Sequence, residues 1–407
     1  MRKSVLAIFL IIILICTSAI AFSGCSLAAK IVGKTYVSYP VSDRFTNGNI
    51  EADTNFEDIL IDWYGGSVYI SQYDGDKFIV RETANQELDA DMQLHWALFD
   101  ATEYGRYYSI EYCKKGMWDL STIKKDLLIL IPTSMEKLNQ LSITVRGECD
   151  IKIYLPDVSV IEDTGAADYN VHLDAEFGNI DAVFKDVGKF RMIGDGEKEA
   201  NVRYRRLQAQ KVQSIDYVAS YAQMIFDISE LTGYADIKSF AGNMYFRASN
   251  NIRSLKTDMT TGTTFISTKN FDSLDLKTRE GLIGVEMHYL QKFRVTMSSY
   301  TDYGNNCPYK EPQFGGFLGF DEETGEVPEN AIKNYGNIWT VLDGKNAKGT
   351  KIVDVKVTSG ADVYFGSWQG VPLEAFYETG VLDLPNQYFP QVDEQGQIIQ
   401  QQNWINT

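Results

Sequence analysis

The residues between 236 and 285 repeat themselves. Asp236-Ile237-Lys238-Ser239 leads to Gly242 and Met244-Tyr245-Phe246. Ser254-Leu255-Lys256-Thr257 leads to Gly262 and Thr264-Phe265-Ile266, and Asp275-Leu276-Lys277-Thr278 leads to Gly281 and Ile283-Gly284-Val285. Lys238, Lys256 and Lys277 are 18 and 21 residues apart, while Ile252, Phe271 and Leu290 keep one register, each followed three positions later by Leu255, Leu274 and Phe293. A weaker copy runs from Asp354 to Ser359, then Gly360 and Asp362-Val363-Tyr364-Phe365. A unit of about 20 residues holds two or three short strands and cannot bury its apolar side alone, so such a chain must stack its units.

Stacking predicts an all-β solenoid, or β-helix, with coils of about 20 residues. Leu, Ile and Phe would fill an inner column, each strand would pair with the next coil, and glycines would mark corners that leave little room for a Cβ. An antiparallel sandwich or meander also spaces short strands regularly. The shared register of three units favours the stack.

Strand signals extend well beyond the repeat. Ile59–Trp63 and Ser67–Ser71 alternate, and Lys77–Arg81 follows across Asp74-Gly75-Asp76, a hairpin-type turn. Tyr107–Tyr112 alternates again, while Leu88–Phe99 reads as a helix or an irregular loop. Leu127–Ile131, stopped by Pro132, is the signature of a strand buried on both faces. Leu141–Arg146 and Asp150–Tyr154 flank Gly147-Glu148-Cys149. Past residue 300 the texture changes: 304–350 reads as an insertion, with a hairpin at Asp343-Gly344-Lys345 between Asn337–Leu342 and Thr350–Val357. Residues 367–407, rich in Gln, Pro and aromatics, read as a C-terminal cap or tail.

The N-terminus supplies an address. Arg2 and Lys3 precede the apolar Val5–Ile20, and Phe22-Ser23-Gly24 stands directly before Cys25. This order resembles the lipobox of bacterial lipoproteins, with Phe22 where Leu is usual, and implies cleavage after residue 24 and lipidation of Cys25. Two acyl chains give stable anchoring. The competing reading is an uncleaved transmembrane helix, since Val5–Phe22 is about long enough to cross hydrocarbon. Either places the rest outside the cytoplasm at the cell membrane, with 25–55 as a tether and 56–366 as the folded unit.

The formal charge is −17, and the densest basic group is only Arg203, Arg205 and Arg206, which argues against nucleic acid. A protein or glycan ligand at the envelope fits this balance. Beyond Cys16 and Cys25, the cysteines Cys113, Cys149 and Cys307 are odd in number, so at least one is unpaired, and their spacing suggests no zinc. His95, His172 and His288 lie far apart without paired spacing, and His172 and His288 read as ordinary strand residues. No nucleophile elbow, zinc-protease, phosphate-loop or dinucleotide fingerprint occurs. No cofactor or metal is expected. Asp74-Gly75-Asp76 and Asp321-Glu322-Glu323 offer oxygen ligands without completing a calcium loop. Catalysis on a β-helix would need convergent carboxylates, for which Asp163, Asp168, Asp174, Asp181, Asp195, Asp216 and Asp236 are the candidates. Corner and solvent-face roles, which a solenoid needs everywhere, account for them better. Aromatics make up 13% of the chain; Tyr104, Tyr107, Tyr108 and Tyr112, or Trp368, Phe376, Tyr377 and Tyr388, could form a binding face.

Three patterns together resemble a bacterial family of adhesin-like β-solenoid domains of unknown function: Ile59–Asp62 with Gly66–Ile70 and Lys77–Arg81; Leu127–Pro132 with Leu141–Val145 and Gly147; and the coil of apolar residue, Lys, Thr or Ser, then Gly, approximated again at Val355–Gly360. They span about residues 57–300 and 352–365, leaving out the long 86–125 segment and the 304–350 insertion. The resemblance implies a surface location and a structural or adhesive scaffold, with no catalytic residues to carry over. The expectation is therefore a non-enzymatic envelope lipoprotein, with a carbohydrate-active enzyme as the alternative.

Overall fold

The computed structural model describes residues 35–37, 44–101, 105–113, 116–118, 123–162, 168–194, 203–287, 292–302, 305–315, 332–341, 352–367, 391–392 and 398–400. The expected signal, Cys25, most of 367–407, His288, Asp163, Asp195 and 321–323 lie outside them. Among the described residues every regular element is a strand, and 23 strands belong to one sheet.

The pairing is mostly parallel and follows three tracks. In the first, Ile61, Ile143, Leu173, Met192 and Tyr217 are successive partners across neighbouring strands, all buried. In the second, Ile70, Ile153 and Ala182 are partners, followed by Leu207. The third is short: Leu138, Val160, Val187 and Val212. From Arg203 to Phe271 strand pairing runs on over 69 residues, bending at corners. Leu255 lies beside Leu274 and Gly262 beside Gly281, a step of 19. Alternation along each strand sends one set of side chains into the continuous core and the other outward.

Two features hold the corners between the first and second tracks. One is a polar ladder in which a side chain of one layer accepts a backbone N–H from the next. Asp126 takes Ser67 N at 2.8 Å, Ser67 Oγ takes Asp150 N at 3.3 Å, Asp150 takes Asn179 N at 2.8 Å, and Asn179 takes Tyr204 N at 3.0 Å. The other is the column Gly242, Gly262 and Gly281, at φ +136°, +132° and +127°, where a Cβ would fall on the carbonyl oxygen of the layer before. Only glycine combines this conformation with so close an approach.

Layers at both ends are out of sequence order. Asp58–Tyr64 lies between Gly105–Glu111 and Gln140–Arg146, and Val68–Tyr73 lies between Lys125–Pro132 and Ile151–Leu155. At the other end, Val353–Ser359 lies between residues 273–278 and Phe293–Ser298. Antiparallel strands then cover the outer edges: Phe78–Ala84 and His95–Ala101 at one end, Ile338–Val341 with Ile332–Tyr335 at the other. Covered edges cannot template further strands.

This order corrects several sequence expectations. Strands 68–73 and 78–84 do not form a hairpin, because the doubly buried Lys125–Pro132 enters between them. Ile338–Val341 pairs with 293–298 and 332–335 instead of with Val353–Ser359. Residues 89–93 turn and His95–Ala101 is a strand, so 88–99 holds no helix. Pairing also begins ahead of Phe56, with Ile50–Ala52 against residues 78–80. The lysines of the repeat are not stacked: Lys256 faces Asp275 and Lys277 faces Asp258, because like charges directly opposite would repel. Phe293 lies beside Val353, not Leu274.

A buried lysine ties the out-of-order layer at the first end together. Lys125 is fully buried; its ammonium pairs with Glu82 at 2.7 Å and donates to the Met92 carbonyl at 2.6 Å and to the Tyr112 carbonyl. It sits 4.1 Å from the Tyr112 ring centroid and 5.0 Å from that of Trp63, whose indole N–H donates to Lys125 O at 2.8 Å. Burial lowers its pKa, opposed by Glu82.

Gly262→Val is expected to cost about 2–4 kcal/mol, from backbone strain plus the displaced Gly242 carbonyl, and to lower the calorimetric midpoint by several degrees. Gly147 has φ +80° but open space around a Cβ, so Gly147→Asn should change the midpoint by about a degree at most. Equal losses would show that the close approach is not what selects glycine.

Candidate binding face

The outward side of the first track brings together groups from distant parts of the sequence. His172, Arg191 and Asp216 are partners on three successive layers. Tyr169, just ahead of the first strand, completes the cluster: the Arg191 guanidinium lies 4.9 Å from its ring centroid, and its hydroxyl donates to Asp216 Oδ2 at 2.9 Å. Arg191 Nε is 3.6 Å from the same oxygen. The acceptor Asp216, then burial, raises the Tyr169 pKa. Burial lowers that of His172, so its ring is neutral at pH 7.

The same face continues with ion pairs. Lys238 meets Asp236 at 3.0 Å and Lys277 meets Asp258 at 3.0 Å. Between these paired charges stand exposed apolar groups: Tyr234 at 58%, Phe240 at 55% and Val218 at 42% exposure. Phe240 rests edge-on against Tyr221, with centroids 5.6 Å apart. Paired charges beside exposed rings make a surface that offers aromatic contact area without a strong net field.

Among the described residues the expected carboxylates have separate partners or positions. Asp181 is held by Arg206 on the second track, at 2.7 and 3.0 Å; Asp216 and Asp236 have the partners just named; Asp168 is exposed; Asp174 faces Thr144. Among the described residues no three His, Cys, Asp or Glu side chains gather to hold a metal ion. Tyr108 and Tyr112 are core residues, and Tyr107 stacks on Phe99 at 5.0 Å; Tyr104, Trp368, Phe376, Tyr377 and Tyr388 lie outside the described residues. Cys113, Cys149 and Cys307 are free thiols. Cys149 accepts from Gly66 N and donates to Arg146 O, and burial pushes its pKa up to about 11, so it stays protonated. Arg205 points inward, donating to the carbonyls of Ala175, Gly178 and Tyr204, which removes it from any surface basic patch.

Sequence reasoning missed Arg191, Tyr169, Tyr234 and Phe240 as one surface. Their spacings become legible only once the layer order is known. It also missed a crowd of acids near the first end. Glu111 lies beside Asp62, and Thr144 separates Asp62 from Asp174. Burial, then the Asp62 charge, pushes Glu111 up to about 7. Burial, then Glu57, pushes Asp58 up to about 7 as well.

No family model matches the chain, and no curated protein does. Among solved structures, a crystal structure described as a putative cell adhesion protein from Clostridium sporogenes ATCC 15579 aligns with 80% of this chain and 100% of its own, at 6% identity and a TM-score of 0.18.

A carboxyl whose folded-state pKa lies above its unfolded one binds extra protons in the native state between the two values. Stability is then retained at acid pH and falls as pH rises from about 4 towards 7. Asp58→Asn and Glu111→Gln together should flatten this slope in denaturant midpoints between pH 4 and 7.5. An unchanged slope would place its origin elsewhere.

Proposed function

We propose that this chain is a non-enzymatic, lipid-anchored envelope protein whose repeats close into a β-solenoid displaying a binding face for a protein or glycan. The solenoid reading is supported by the three parallel tracks, whose successive layers lie from 30 residues apart, Ile143 to Leu173, down to 19, Leu255 to Leu274. The observation that carries the binding reading is the outward first track, where Tyr234 and Phe240 stand exposed between charges already paired to one another. Isolated apolar residues are ordinary on a surface, but rings carried on a paired sheet provide contact area at little entropic cost. An uncharged glycan suits such a face, because neutralised carboxylates neither attract nor repel it. The alternative, a carbohydrate-active enzyme, is less well supported: Asp181, Asp216 and Asp236 are engaged with Arg206, Arg191 and Lys238.

Anchoring through Cys25 would hold the acidic protein at the outer face of the membrane by its acyl chains, since its charge stands off from anionic headgroups. Cys25→Ala should release the protein from the membrane fraction; unchanged retention would favour the transmembrane helix.

For the binding face, the purified ectodomain is screened against an array of uncharged glycans and then compared with Tyr234→Ala/Phe240→Ala. The expected result is a loss of about tenfold or more in affinity at an unchanged melting temperature. Binding that survives the double substitution would move the site elsewhere. Turnover of any glycan, abolished by one Asp substitution, would replace this reading by the enzyme.

A further inference from the structure

Residues 353–367 occupy a singular place. Val353–Ser359 is paired in parallel on both edges, with 273–278 and with 293–298, and Asp362–Ser367 lies likewise between 282–287 and Gln313–Gly315. Among the described residues, no strand pairing joins 293–315 or 332–341 to the layers of 203–287 except through this segment.

The chain could in principle have closed without it. A further step of 19 from Leu274, Leu276 and Thr278 lands on Phe293, Val295 and Met297, apolar residues suited to the same inward positions. The corner argues against that closure. Beyond Gly281 the next layer must pass close to the preceding backbone, and a step of 19 would put Tyr300 there. The late segment instead brings Gly360, whose Cβ would lie within 2.9 Å of Arg279 O, and the buried Ala361, whose N–H donates to Ser359 Oγ at 2.8 Å. Small residues fit where a tyrosine does not.

We propose that residues 353–367 act as a closing latch: they enter the stack after 293–341 has been made, and the backbone pairing of the distal cap to the earlier layers runs through them, with side-chain contacts such as Phe271–Phe293 and Lys277–Tyr300 as its direct links. The order follows from connectivity, because a strand bordered on both edges by earlier parts of the chain completes its pairing last. Withdrawing the latch would therefore release 293–315 and 332–341 as a unit, leaving the layers before residue 287 in place. Ion pairs fasten its outer side, Arg294 to Asp354 at 2.7 Å and Lys310 to Asp362 at 2.9 Å, but these are half exposed and weak beside the backbone pairing.

Hydrogen exchange on the intact protein tests this. In a stack that frays from its chain end, protection would fall steadily towards the C-terminus. The latch predicts the reverse: amides of Val353–Ser359 should exchange about tenfold or more slowly than the more N-terminal Phe293–Ser298. In Gly360→Val, 293–298 and 338–341 should lose protection together while 203–268 keep theirs. Faster exchange at 353–359 than at 293–298 in the unmodified protein would overturn the proposal whether or not the variant folds. So would a Gly360→Val protein in which 353–359 loses protection while 293–298 keeps it.

Discussion

A parallel strand cannot satisfy its own backbone. Each N–H and C=O along it needs a neighbour in register, and the outermost strands have one on a single side. Much of this molecule follows from that constraint. Register along the tracks is kept because a slip by one would turn every inward Ile, Leu and Val outward, although the layer length falls from 30 residues between Ile143 and Leu173 to 19 between Leu255 and Leu274. The corners are held by the Asp126–Ser67–Asp150–Asn179 ladder and by glycines that let consecutive backbones approach. At the two ends, antiparallel strands close the edges that parallel layers leave open.

The buried charges serve the same architecture. Lys125 would be costly in an apolar core alone, yet Glu82, two carbonyls and two aromatic faces surround it, and each comes from a part of the chain that the first out-of-order layer must gather. The Arg206–Asp181 and Arg247–Asp227 pairs span neighbouring layers in fork geometry, and the exposed Lys277–Asp258 pair adds little energy but keeps like charges apart. On the proposed reading, a face whose charges are already paired is left with its aromatic groups as the means of recognition.

How far the sequence discloses this depends on the element. The doubly buried run Leu127–Pro132, the unit of about 20 residues and the corner glycines are all legible, since each reflects local chemistry. Layer order is not. The step from Leu274 to Phe293 is the same 19 residues as from Leu255 to Leu274, so periodicity alone predicts that they stack; only the corner, where Gly360 and Ala361 fit and Tyr300 does not, decides otherwise. The lysines of the repeat mislead for a related reason: aligning Lys256 with Lys277 maximises sequence likeness, whereas the backbone register pairs each with an aspartate. The proposed binding face is assembled from residues 169–240 across successive layers and has no contiguous motif to find.

The order of the layers defines this molecule, and disulfide trapping reads that order directly. In a protein with Cys307 replaced by Ser, cysteines would be introduced in pairs at the outward positions Asp275, Lys356 and Thr296, which are successive partners in the first track. Adjacent parallel strands are about 4.8 Å apart, within the Cα range that a disulfide bridges, and strands two layers apart are not. The account predicts ready oxidation of the 275/356 and 356/296 pairs and none of the 275/296 pair. Efficient cross-linking of 275 to 296 would contradict it, by showing that the chain stacks in simple sequence order.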